Sequence, residues 1–459
     1  MKFEVDLSKF KKYDRPGPRY TSYPTAPHFN DDFKANDYLD EIVKTNYGDN
    51  LPGLSLYYHI PYCDTLCYFC GCNMIITRNR ERVNEYISYV KKEIDLLRTY
   101  LLPDRKVVQY HWGGGTPTHL TPNEINSLAS YIKESFNFTP DSENSCEIDP
   151  RGLTKEHLAA LRNNGFNRIS MGVQDFNEKV QKAVNRIQPE DMTRQVIDWV
   201  RELGFISINL DLIYGLPFQT LESFEDTVDK IIGISPDRIA VFNYAHVPWM
   251  KKHMGLIREE DLPKPEVKLN ILKMTIEKLT SAGYEFIGMD HFARPEDELS
   301  VALKEKKLYR NFQGYSTHAG ADLYALGVTA ISQLKNIYSQ NYKTEKEYYQ
   351  SLDQETLPIA KGYRLSEDDH IRRHVIMKIM CDFGLNMRSV EDMFNINFRE
   401  YFKSGLENLK AMEEDGLLNF SGDNIEIYPI GKLLIRNIAI NFDGYIERKQ
   451  DNAKYSRTV

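Results

Sequence analysis

From about residue 54 onward the chain alternates short apolar runs with longer stretches in which apolar side chains return every third or fourth position. The short runs, at residues 55–60, 107–112, 145–149, 168–173, 207–214, 238–245 and 285–291, predict strands. Between the first two, Val83, Ile87, Val90, Ile94, Leu97 and Leu101 form the apolar face of a helix. The next helix carries its own start signal: Thr121 as N-cap, Pro122 in the first turn and Glu124 three residues after the cap. Another opens at Thr154 and stops at Gly165, and a third carries Val196, Trp199, Val200 and Leu203 before Gly204. Repeated strand-then-helix units predict an α/β fold with a parallel sheet, either doubly wound or closed fully or partly into a barrel.

Polar residues favour the barrel. His111, Trp112 and the glycines after them, Glu147, Gln174, Asp211 and His291 all fall at the C-terminal ends of their runs. In a parallel barrel those ends converge on one mouth, so a partial (β/α) barrel with a polar mouth is expected. Ahead of it, residues 13–27 are rich in Pro, Gly, Tyr and Arg without helical period. They read as an arm that either packs on the barrel or covers its mouth. After about residue 364 the pattern changes. Ser366 caps a helix expected to reach Phe383, residues 398–415 form another, and 417–428 read as a hairpin turning at 421–424, with more helix beyond. That order is winged-helix-like, but segment 398–415 carries more acids than bases and would repel phosphates, so a small, mostly helical packing domain is expected. The expected division is an arm and lid at 1–50, a barrel with accessory strands at 51–363 and a C-terminal domain at 364–459.

Composition sharpens this mainly by exclusion. A chain of 459 residues is too long for one ordinary core and suits one large domain plus a smaller one. A net charge of −8 argues against a nucleic-acid partner, and an anionic substrate would need a local Arg/Lys cluster. Residues 1–12 alternate charged and apolar side chains and contain no signal-peptide core, and no uncharged stretch reaches bilayer length. A cytoplasmic protein without a membrane partner is expected. There thiols stay reduced, and clustered cysteines read as metal ligands rather than disulfides. Four of the six cysteines do cluster, in Cys63-Asp-Thr-Leu-Cys67-Tyr-Phe-Cys70-Gly-Cys72, while Cys146 and Cys381 stand alone.

Thiolates spaced by four and three residues can wrap one side of a [4Fe–4S] cube and leave its fourth iron open. An open iron can bind a small chelating ligand and pass it an electron, chemistry that side chains alone cannot supply. The competing reading is a structural Zn²⁺ on all four thiols, which the single residue between Cys70 and Cys72 makes awkward.

The run Cys-x3-Cys-x-Phe-Cys after a first strand resembles the radical S-adenosylmethionine superfamily. The fuller string from Tyr58-His-Ile-Pro-Tyr-Cys63 to Cys72 resembles the oxygen-independent coproporphyrinogen III oxidases. So do Pro16-Gly-Pro-Arg-Tyr-Thr-Ser-Tyr-Pro24, His111-Trp-Gly-Gly-Gly-Thr-Pro117, Glu147-Ile-Asp-Pro150, Ser170-Met-Gly-Val-Gln-Asp175 and Asn209-Leu-Asp-Leu-Ile-Tyr-Gly-Leu-Pro217. Phe242-Asn-Tyr-Ala-His246, Gly288-Met-Asp-His-Phe-Ala-Arg294 and Asn311-Phe-Gln-Gly-Tyr315 extend the likeness, which spans residue 13 to the C-terminal region.

The resemblance implies one [4Fe–4S] cluster on Cys63, Cys67 and Cys70 and two molecules of S-adenosylmethionine. It assigns Tyr57, Phe69, Gly114 and Glu147 to the first molecule, and Gly115, Thr116, Gln174, Arg186 and Asp211, with Ala245 and Ile331 lining the site, to the second. Without it, Glu147 reads as a salt-bridge partner and Arg186–Asp211 as an ion pair bracing two strands. The implied reaction starts from reductive cleavage of S-adenosylmethionine to a 5′-deoxyadenosyl radical, which takes hydrogen from a propionate β-carbon. Loss of CO₂ and one electron leaves a vinyl group, and two rounds turn coproporphyrinogen III into protoporphyrinogen IX. A flavodoxin- or ferredoxin-like donor, an unidentified acceptor and a monomeric enzyme are expected. A tetracarboxylate macrocycle needs cations and apolar walls, for which Arg15, Arg19, Arg294, Tyr20, Tyr23 and Tyr315 are candidates; His318 reads as a solvated loop residue. A haem-binding relative of the superfamily or another radical enzyme acting on tetrapyrroles are the alternatives.

Overall fold

The computed structural model describes residues 9, 12, 13, 15–46, 51–448 and 455. Most of residues 1–12, on which the signal-peptide expectation rests, lie outside the described residues, as do 47–50 and most of 449–459. Among the described residues no helix is long and apolar enough to cross a membrane.

Six strands run parallel in succession: β1 (Leu54–Ile60), β2 (Lys106–Gly114), β3 (Asn137–Ile148), β4 (Arg168–Gln174), β5 (Ser207–Tyr214) and β6 (Arg238–Asn243). Accessory strands follow as β7 (Glu285–Gly288), β8 (His291–Ala293), β9 (Tyr309–Asn311), β10 (Gly314–Ser316), β11 (Asp322–Leu326), β12 (Ile331–Gln333), β13 (Ile337–Asn341) and β14 (Ile359–Arg364). β11 joins β1 in parallel, and the large sheet runs β14-β13-β12-β11-β1-β2-β3-β4-β5-β6-β8-β7, open at both edges. This is the partial barrel expected from the sequence.

Helices α1 (Arg80–Arg98), α2 (Pro122–Ser135), α3 (Lys155–Asn163), α4 (Glu190–Glu202) and α5 (Leu221–Ile234) cover the outer face. Each begins where local chemistry allows: Thr121 accepts from the Glu124 N–H at 3.3 Å while Glu124 accepts from the Thr121 N–H at 2.8 Å. Burial shows why the sheet curls. On β5, Leu210 and Leu212 point outward and are fully buried under the helices, worth about 1.5–3 kcal/mol each. Asn209, Asp211 and Ile213 alternate with them and remain half-buried, facing a polar hollow.

Two expectations need correction. Residues 285–291 are not a seventh strand of the parallel set. Gly288 (φ +144°) and Met289 (φ +52°) turn the chain, so β7 and β8 form a hairpin whose β8 pairs antiparallel with β6. Only glycine fits at 288, since a Cβ there would lie 2.3 Å from the Tyr315 hydroxyl. His291 therefore opens β8 instead of ending a parallel strand. Residues 398–415 are likewise two helices, Phe398–Tyr401 and Lys403–Glu414, broken at Phe402.

The C-terminal region opens with α6 (Glu367–Asp382), capped by Ser366, and adds a three-stranded sheet of β15 (Gly384–Asn386), β16 (Leu418–Ser421) and β17 (Asn424–Ile427). The arm is tied to this region. Tyr20 and Tyr23 are 1% and 0% exposed; the Tyr20 hydroxyl donates to Asp443 at 2.9 Å and that of Tyr23 accepts from the Gly444 N–H at 2.9 Å. Arg436 donates to the carbonyl oxygens of Gly17 and Pro18.

Candidate functional site

The period of two along each strand turns Tyr57, His111 and Ser145 inward in one row, and Gly172, Asp211 and Ala240 in another. Tyr57 stacks on His111 with ring centroids 5.8 Å apart, and His111 bonds Ser145 through Nδ1. Through Nε2 the same imidazole reaches Glu147 at 3.5 Å.

The cysteine loop leaves β1 through Tyr62–Cys63, which pairs in parallel with Ile75–Ile76. Neighbouring segments hold it: Asn185 Nδ2 donates to the Leu66 carbonyl at 2.8 Å, Lys251 Nζ to that of Cys72 at 2.9 Å, and His253 Nε2 lies 2.8 Å from that of Cys70. Arg151 Nη2 donates to Cys67 Sγ at 3.2 Å, and Arg186 Nη1 lies 3.8 Å from the same sulfur. A hydrogen bond from the Cys72 thiol holds Cys70 down to about 6, while burial pushes Cys63 up to about 12.

The glycines after β2 permit the close approach of this loop. A Cβ on Gly115 would lie 2.6 Å from the Pro61 carbonyl oxygen, and one on Gly113 2.9 Å from a Glu147 oxygen. Gly114, at φ +120°, donates its N–H to Glu147 at 3.2 Å. Burial would raise the Glu147 carboxyl, but His111 and the Gly114 N–H outweigh it and keep the group below the ordinary carboxylate value. Its side chain stays 47% exposed, an anion presented to the cleft.

Arg186 pairs not with Asp211 but with Asp149, at 3.1 Å, and donates to the Gly172 carbonyl at 2.7 Å. Arg151 completes a bidentate pair with Asp149. Asp211 accepts from Asn209 Nδ2 at 2.8 Å, and burial pushes it up to about 7.

A cleft of about 220 Å³ gathers Cys63, Cys67, Cys70, Phe69, Gly114, Gly115, Thr116, Glu147, Gln174, Arg186 and Asp211. A second cavity of about 320 Å³ shares Glu147 and is lined by Tyr57, His59, Phe312 and Ile331. The expected residues are thus grouped by two cavities in a different way from the sequence reading: Phe69 lies with Gln174 and Asp211, Ile331 lies with Tyr57, and Ala245 lines neither. Trp112 turns outward into the core at 0% exposure. Of the substrate candidates, Arg294 stacks on Tyr284 at 4.2 Å and bonds Ser235, away from the mouth, and His318 lies 4.0 Å from Glu143 at the far end of the barrel. Tyr20, Tyr23 and Tyr315 spend their hydroxyls on protein partners and Arg15 donates to the Asn437 carbonyl. Asp149 and Arg151 escaped the sequence reading, although the alternation that turns Glu147 inward turns Asp149 inward too.

The cleft suits the expected groups. Three thiols stand together on the cleft, the number of ligands that leaves one iron of a [4Fe–4S] cluster open, with two guanidiniums beside Cys67 to offset the cluster's negative charge. Gln174 Oε1 is buried without a partner on the cleft wall, and Glu147 and Asp211 set carboxyl groups beside Arg186, a match for a zwitterion carrying a sulfonium.

Comparison with known proteins gives the same picture. Residues 57–231 match the model of the Radical SAM superfamily and residues 365–434 that of the HemN C-terminal domain. The chain is 47% identical over 460 residues to the oxygen-independent coproporphyrinogen III oxidase of Synechocystis sp., covering 99% of this chain and 98% of that one. It is 46% identical to the Escherichia coli enzyme of the same name, with the same coverage. A solved structure of coproporphyrinogen III oxidase (HemN) from Escherichia coli, described as a radical SAM enzyme, superposes with a TM-score of 0.92 at 45% identity, covering 97% of this chain and 100% of that one. Arm, barrel and C-terminal region are all included in that likeness, and the chain belongs to the oxygen-independent coproporphyrinogen III oxidase family of radical S-adenosylmethionine enzymes.

Proposed function

We propose that this chain oxidatively decarboxylates two propionate side chains of coproporphyrinogen III to vinyl groups, giving protoporphyrinogen IX for haem and porphyrin synthesis, with Cys63, Cys67 and Cys70 as its iron ligands. One observation carries the reading: three thiols, Glu147, Asp211 and Arg186 meet in one cleft, and Glu147 joins that cleft to a second cavity inside the barrel. A [4Fe–4S] cluster and S-adenosylmethionine, when bound, supply the electron and the carbon radical that abstract hydrogen from a propionate.

The chain's own residues bind, orient and shield. Glu147, kept ionised by His111 and the Gly114 N–H, attracts the ammonium and sulfonium of S-adenosylmethionine. Arg186, fixed by Asp149 and the Gly172 carbonyl, presents its cation to a carboxylate. Two molecules of S-adenosylmethionine are proposed, one toward Phe69, Gly114, Gly115, Thr116, Gln174, Arg186 and Asp211, which line one cavity, and one toward Tyr57 and Ile331, which line the other. The arm excludes water from the reacting centre. Three functional parts are proposed, an arm and lid at 1–50, a barrel at 51–363 and a C-terminal domain at 364–459. The enzyme works as a cytoplasmic monomer with a low-potential donor of the flavodoxin or ferredoxin type.

An anaerobic turnover assay of cluster-reconstituted protein with S-adenosylmethionine, a reductant and coproporphyrinogen III tests this reading. Both 5′-deoxyadenosine and the divinyl product should appear by mass. Deoxyadenosine without decarboxylation would disprove the substrate, and neither product from an intact, reducible cluster would disprove the enzyme.

A further inference from the structure

Inside the mouth, opposite the cysteine loop along the strand order, the barrel wall carries more positive charge than it neutralises. Phe242 on β6 and His291 on β8 face inward: Phe242 by alternation with Arg238, and His291 because it stands opposite Ala240. Their rings meet edge to face at 5.9 Å, and His291 meets Tyr315 on β10 in the same way at 5.4 Å. Arg310 of β9 lies over the Tyr315 ring at 4.7 Å, and its Nε donates to the backbone carbonyl of Arg19 at 3.3 Å. Arg19, on the arm, lies 5.9 Å from the Phe242 ring centroid and pairs with Asp290.

Charges in this cluster do not balance. Burial disfavours the charge on Arg19, and the nearby guanidinium of Arg310 adds to it. Against them stands Asp290, taken by Arg19. Arg310 is 3% exposed, and among the described residues no carboxylate forms an ion pair with it. Its Nη1 is buried without a hydrogen-bond partner, and so are His291 Nδ1 and, on the adjoining β9–β10 turn, Gln313 Nε2. An unmet buried donor is costly, on the order of 1–3 kcal/mol and more on a charged group, so Arg310 Nη1 calls for an acceptor from outside the chain. Tyr315 and Phe242 supply aromatic surface beside it. The Arg19 side chain, 34% exposed, is the part of the cluster that a ligand meets first.

We propose that Arg19 and Arg310, with His291 beside them, form a carboxylate-binding subsite that takes a propionate of the substrate and so positions the macrocycle in the barrel. This rests on the function proposed above and specifies what holds the substrate. The carboxylate meets Arg19 at the open face and brings negative charge to Arg310 behind it. Asp290 keeps Arg19 extended toward the lumen until that happens.

Equilibrium binding to the cluster-reconstituted full chain tests the subsite, with coproporphyrin III and its uncharged tetramethyl ester as probes. The wild type should prefer the acid strongly. Arg19→Gln and Arg310→Met should each weaken the acid on the order of 100-fold and leave the ester unchanged, bringing the two ligands together. Iron content and melting temperature report whether each variant is intact. If Arg310→Met fails to fold, the partly exposed Arg19→Gln decides alone. Unchanged affinity for the acid, or equal loss for acid and ester, overturns the subsite. A wild type that binds neither probe, or does not distinguish them, overturns the substrate reading itself.

Discussion

The two ends of the barrel are built from the same residue types and use them in opposite ways. At the N-terminal end of the strands each guanidinium meets a carboxylate. Arg105 pairs with Asp322 at 2.6 Å with both side chains buried, Arg168 with Glu298 at 2.6 Å, and Arg238 with Asp297 at 2.9 Å. Gln109 joins them by accepting from Ser55 at 2.8 Å and donating to Glu143 at 3.1 Å. Buried polar atoms without a hydrogen-bond partner occur at both ends, on Arg105, Arg168 and Arg238 as on Gln174, Asn243, His291, Arg310 and Gln313, but at the mouth Arg310 has no carboxylate partner among the described residues. A layer of matched charges holds the sheet together; an unmatched cation leaves bonding capacity for something that arrives later. The difference separates scaffold from site without reference to any bound molecule.

Substitutions at the two ends should therefore fail in different ways. The largest effect is expected at the mouth from Cys67→Ser, which should remove the cluster and bring turnover below detection, read by iron content and anaerobic assay. Glu147→Gln comes next: removing the anion that faces the cleft should lower kcat/KM for S-adenosylmethionine on the order of 100-fold or more, with the melting temperature nearly unchanged. At the closed end, Arg105→Met strands Asp322 and should cost about 3–5 kcal/mol in urea unfolding, while turnover per cluster-loaded folded molecule stays near wild type. Replacing both partners by apolar residues of similar volume should recover most of that stability. A large turnover loss in Arg105→Met would break the distinction between the ends.

The smallest effect concerns Glu93 on α1, buried beneath β11, where it accepts from Tyr348 at 2.5 Å, the Gly327 N–H at 2.8 Å and Asn341 at 2.7 Å. Burial still raises its carboxyl from 4.5 to about 7. Between those values the unfolded chain loses this proton and the folded one keeps it, so the unfolded state is favoured as pH rises through that window and the loss levels off above about 7. Glu93→Gln should flatten this part of the stability–pH curve, measured by unfolding at pH 5, 6 and 8; an unaltered slope would place the titration elsewhere.

The sequence disclosed elements more readily than partners. Strand β5 ends where its alternation ends, at Ser207 and Tyr214, because that pattern is a direct record of one buried and one open face. The capping box at Thr121 was legible for a similar reason, since its bonds join residues three apart. The hairpin at 288–291 was not, because the need for glycine comes from Tyr315, a contact between distant parts of the chain. The same limit applies to the site. Cys63, Cys67 and Cys70 announce themselves by spacing, whereas the choice of Asp149 over Asp211 by Arg186 depends on how three strand ends are staggered. Arg294 and His318 looked chemically suited to the mouth, and backbone direction carried both away from it.

The arm's attachment sets an order of events during synthesis. Tyr20 is made 423 residues before the Asp443 that accepts its hydrogen bond, and Gly17 precedes its donor Arg436 by 419. At about 5–20 residues per second the ribosome needs roughly 20–80 s to bridge that interval. Within that interval the arm can already meet Asp290, Arg310 and Tyr338, but its ties to residues 436–444 cannot form. The last ties of the arm therefore form only once residues 436–444 are available, after every strand of the large sheet has been made.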